Sequence, residues 1–69
     1  MNIRKTGMGI EVSIPFKTDL GTDREVLVTY SQFGLNPTAP GALNLEGVQA
    51  LRQALTLAEI LYEHKYLLT

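Results

Sequence analysis

The sequence predicts an α+β fold: a small antiparallel β-sheet of three to four short strands packed on one long C-terminal α-helix. Two observations supply the strands. Apolar and polar residues alternate over residues 10–16, and residues 25–33 are rich in β-branched and aromatic types. The third observation supplies the helix: from residue 45 to about residue 64 there is no Pro and one Gly, with apolar residues at helical spacing. At 69 residues the chain has the length of one domain, so residues 1–69 are read as a single unit.

In the first strand Ile10, Val12, Ile14 and Phe16 alternate with Glu11, Ser13 and Pro15, the period of a strand with one buried face. Pro15 has no ladder hydrogen bond to donate, which places this strand at an edge or ends it there. Upstream, Gly7-Met8-Gly9 reads as a flexible bend, and residues 2–6 either pair as a short extra strand or fray. Residues 17–23 are polar around Gly21, as in a hairpin loop longer than two residues. In the second strand Val26, Val28 and Tyr30 share one face, and Leu27 interrupts the polar face of Thr29 and Ser31. That places the strand centrally or gives it a second surface for a partner.

Residues 34–41 hold two Pro, two Gly and an Asn and read as a loop, with Ala42 and Leu43 as candidates for a last short strand. Asn44 has the chemistry of a helix N-cap, Glu46 puts negative charge in the first turn, and Leu43 and Val48 stand at the positions of a hydrophobic staple. At about 3.6 residues per turn, Val48, Leu51, Leu55, Ala58 and Tyr62 form one stripe, and Ala50, Ala54, Leu57 and Leu61 form a second beside it. Ile60 breaks into the polar remainder, and Tyr66, Leu67 and Leu68 add apolar bulk beyond. Three or four short strands cover one stripe readily, whereas both stripes with Ile60 and the tail exceed them unless the sheet curls around the helix.

A chain of this length buries only about 60% of the surface its unfolded form exposes. Without Cys it has neither a disulfide nor a thiolate zinc site to add stability, which leaves burial against another chain. Composition favours such burial, since 45% of residues are hydrophobic and only 19% charged, against roughly 25% charged in soluble domains. A formal net charge of −1 argues against a phosphate-neutralising surface. The charged start, with no apolar run after it, reads as cytoplasmic, and no stretch approaches the roughly 18 apolar residues of a membrane span.

No catalytic, metal or cofactor site is predicted, and no small-molecule substrate is evident. His64 is the only histidine and has no partner at ligand spacing. The Asp19 to Asp23 segment lacks the further oxygen ligands of a calcium loop, whose twelfth position from Asp19 is Tyr30. Gly7-Met8-Gly9 opens no helix and has no Lys-Ser/Thr pair, so it is no phosphate loop. Ser13 and Ser31 lie in strands outside any nucleophile elbow. Pro37 removes Asn36 as a glycosylation acceptor.

Two partner classes remain. The leading expectation is a non-enzymatic protein-interaction module or small regulator that forms a homodimer or docks on a larger partner protein through Leu57, Ile60, Leu61, Leu67 and Leu68, with Phe33 in the specificity loop. The alternative is a single-stranded nucleic-acid-binding domain using the sheet face, in which Arg4, Lys5, Lys17 and Arg24 meet phosphates and Tyr30 stacks a base. Glu11, Asp19, Asp23 and Glu25 are interleaved with those cations. The segments Val26-Leu27-Val28-Thr29-Tyr30 and residues 40–46, from Pro40-Gly41 to Leu45-Glu46, resemble the C-terminal domain of single-stranded-DNA-binding transcriptional coactivators over about the last two-thirds of the chain. That resemblance implies dimerisation through the helix. The chain departs from the family's pattern at Thr38, Ala39 and Ala42, where such domains carry Lys and Arg around the Pro-Gly turn.

Overall fold

The protein is an α+β fold in two layers, a four-stranded antiparallel sheet covered on one face by a single C-terminal helix. The computed structural model describes residues 2–7, 9–39 and 41–64. The strands β1 (Asn2–Lys5), β2 (Gly9–Lys17), β3 (Asp23–Ser31) and β4 (Gly34–Thr38) lie side by side in chain order, and helix α1 spans Leu45–Glu63. Residues 2–5 thus pair as a strand. Pairing of Val12 with Val28, Ile10 with Tyr30 and Ile14 with Val26 puts the alternating apolar residues of the central hairpin on one face. All six are buried, four of them with Tyr30 among those completely enclosed, and this face is the floor of the core.

Pro15 and Pro37 each sit where the ladder is one-sided. Against the expectation from Pro15, β2 is an interior strand and runs on to Lys17; β1 pairs with it only over Ile10 to Ser13, so Pro15 sits where β2 has β3 as its sole neighbour. Residues 34–38, expected to be part of a loop, instead form β4. Gln32 and Phe33 make a tight turn closed by Gly34 at φ +113°, a backbone setting open to glycine, and Phe33 N–H donates to the Ser31 hydroxyl at 3.1 Å. An edge strand has one row of backbone groups outside the ladder, which is why it tolerates Pro37. Ala42 and Leu43 are not a strand; they belong to the irregular link into the helix. The bend at residues 7–9 also differs from expectation, because Gly9 is a buried first residue of β2. A Cβ there would lie 2.0 Å from the Tyr30 carbonyl oxygen, so the close approach of β2 to β3 requires glycine.

The helix starts where its capping chemistry predicts. The Asn44 side chain accepts from Gly47 N–H at 2.8 Å and donates to the Lys17 carbonyl at 2.8 Å and to Asp19 Oδ1 at 3.1 Å. It therefore caps α1 and ties it to the end of β2. Glu46 reinforces the tie by accepting from Lys17 N–H at 3.3 Å. Leu43 and Phe16 close over Gly47 so tightly that a Cβ there would stand 3.0 Å from each. The residues α1 presses into the core are all small: Gly47, Ala50, Ala54 and Ala58.

The helix packs on β2, β3 and β4 and does not reach β1. Ile3, in register with Val12 on the helix side of the sheet, is in consequence about half exposed. At the far end Tyr62 sets its ring edge-to-face on buried Tyr30, with centroids 6.1 Å apart. Among the described residues no buried side-chain polar atom lacks a hydrogen-bond partner.

Three substitutions test this fold by urea denaturation. Gly9→Ala should lower stability by about 2–3 kcal/mol through backbone collision, while Gly7→Ala, which meets nothing within 4 Å, should stay within about 0.5 kcal/mol. Asn44→Ala should cost about 1–2 kcal/mol, since it removes the cap together with the tie to β2.

Candidate functional site

The surfaces available for recognition are the open sheet face and the two shoulders of α1. Strand pairing builds the open face from two cross-strand rows, Asn2-Ser13-Leu27-Thr38 and Arg4-Glu11-Thr29-Asn36. Leu27 is the one large apolar residue in them, and it is half-buried. Arg4 donates to Glu11 within its row, and Lys17 lies 3.3 Å from Asp23 beside it.

The residues expected to meet nucleic acid are not gathered on that face. Register places Arg4 and Lys17 on it, with Lys5 opposite Ile10, Arg24 opposite Phe16 and Tyr30 on the other. Tyr30 is fully buried beneath the helix, so it offers no ring to a base. Beside Arg4 and Lys17 the open face carries Glu11, Asp23 and Glu25, two cations against three carboxylates, a balance that repels phosphate.

On α1 the small-residue row against the sheet leaves the large apolar side chains after Leu45 to one shoulder or the other. One shoulder holds Val48, Leu51, Leu55 and Tyr62. On the other Leu57 and Ile60 diverge from the row, with Leu61 close beside it. The four leucines are half-buried and touch the core from the side. Val48, Tyr62 and Ile60 are 38%, 39% and 48% exposed, and Leu45 more so. Of the expected docking residues, Leu57 and Leu61 are therefore only partly available and Ile60 is open. Phe33 is 79% exposed at the tip of the β3–β4 turn, and Leu67 and Leu68 lie outside the described residues. The shoulder of Val48, Leu51, Leu55 and Tyr62 is the longer apolar surface among the described residues. Its signal was the seven-residue recurrence of Val48, Leu55 and Tyr62.

No protein-family model, curated protein or solved structure matches this chain. Among the described residues no group of three or more His, Cys, Asp or Glu is placed to hold a metal ion, and no helix is long and apolar enough to cross a membrane.

The charge balance of the open face makes a direct prediction. A single-stranded oligonucleotide should not be retained even at low salt, as read by fluorescence anisotropy. Retention that falls steeply with added salt would contradict it.

Proposed function

We propose that the protein is a non-enzymatic interaction module that works through the apolar shoulder of α1, with self-pairing as its simplest form and a larger protein as the other kind of partner. The observation that carries this reading is the continuous line of Val48, Leu51, Leu55 and Tyr62, partly exposed along almost the whole helix. Apolar surface gains about 25 cal/mol for each Å² removed from water, so a chain poor in charge gains by covering such a line. A helix of 19 residues offers a strip about 29 Å long and about 10 Å wide. Two such strips bury at most about 600 Å² in total, the size of a weak or transient contact.

Light scattering over a micromolar dilution series tests the reading. The wild-type chain should pass from monomer to dimer as concentration rises, and Val48→Glu should stay monomeric with unchanged circular dichroism. A Glu at that position suits the first turns of a helix, so the fold is retained. A wild-type chain that stays monomeric throughout would remove self-pairing.

A further inference from the structure

The polar border of the same shoulder carries information on direction. Arg52 and Glu59 repeat the seven-residue spacing of Val48, Leu55 and Tyr62 on the solvent side of that line. Both are exposed, and neither is in an ion pair among the described residues. Along the opposite border lie Gly47, Ala54 and Ala58, which are buried against the sheet and carry no charge. The direction of any pairing along this line is therefore set by Arg52 and Glu59.

Two copies laid parallel would carry their charged borders to opposite sides of the apolar seam, so that Arg52 and Glu59 each face the partner's uncharged border and meet no charge. Laid antiparallel about a twofold axis at Leu55, the order reverses. Arg52 stands three residues before Leu55 and Glu59 four after it, so Arg52 comes opposite Glu59 of the partner subunit with an offset of one residue, about 1.5 Å along the axis. Symmetry makes the contact twice. The same operation sets Val48 against Tyr62 of the partner subunit and Leu55 against its own counterpart, small facing large at each end.

Resting on the self-pairing form of the proposed function, we infer that α1 binds a second copy of this chain antiparallel, with Arg52 and Glu59 selecting that direction because only there do they meet. The chain's lack of Cys makes this directly readable. A single engineered cysteine can bond only to its own counterpart, so Leu55→Cys, at the axis, should form a disulfide-linked dimer under mild oxidation. Val48→Cys, displaced along the helix, should not. Light scattering supplies the second arm. Arg52→Glu and Glu59→Arg should each raise the dimer Kd about tenfold, because each turns two attractive contacts into two repulsive ones, and the double reversal should return it to within about threefold. Circular dichroism checks that each variant is folded; both charged residues are exposed, so their reversal leaves the core untouched. A wild-type dimer whose Kd is unmoved by either reversal, or one in which Val48→Cys cross-links as well as Leu55→Cys, overturns the antiparallel assignment while leaving helix-mediated association standing. A wild type that is monomeric throughout overturns both.

Discussion

The row of Gly47, Ala50, Ala54 and Ala58 against the apolar face of the central hairpin is the contact on which the rest of the molecule depends. Small side chains let the helix backbone approach the sheet, and the floor they meet is built from larger residues, Ile10, Val12, Val26, Val28 and Tyr30, all completely enclosed. The pairing of small on large forms the centre of the core, and the helix's leucines pack against it from the side. Those leucines are left astride the contact, half in the core and half out of it.

The same constraint explains what the edges look like. A single helix covers about three strands, so β1 is carried by its pairing with β2 and leaves Ile3 partly open. β4 stays in the sheet although it contains Pro37, because an edge can do without one donor. At one end the Asn44 and Glu46 side chains fasten α1 to Lys17, and at the other Tyr62 rests on Tyr30. With both ends held, the rotation of the helix about its axis is defined, and so is the shoulder that faces solvent.

Much of this was legible in the chain. Alternation from Ile10 to Phe16 marked β2, β-branched residues marked β3, and Asn44 with Glu46 marked the start of α1, each by local chemistry that the tertiary structure leaves in place. β4 was hidden because Gly34, Asn36 and Pro37 are breakers by propensity, and only the neighbouring β3 makes them a strand. Gly9 looked like a hinge because its reason for being glycine lies in the Tyr30 carbonyl, 21 positions along the chain. How the helix divides its large apolar residues between core and solvent was hidden, because apolar bulk counted along the chain carries no regard for size. Alanines spaced four apart at 50, 54 and 58, together with Gly47, were the sign that the sheet takes the small residues.

That account is tested most directly at Ala54, which is completely buried in the middle of the row. Equilibrium urea unfolding of Ala54→Leu should show a loss of about 2–3 kcal/mol, because a large side chain would have to lift the helix from the sheet or distort it. An unchanged unfolding midpoint would mean that the helix does not lie on the sheet through its small residues, and the division of its leucines between core and solvent would have to be redrawn.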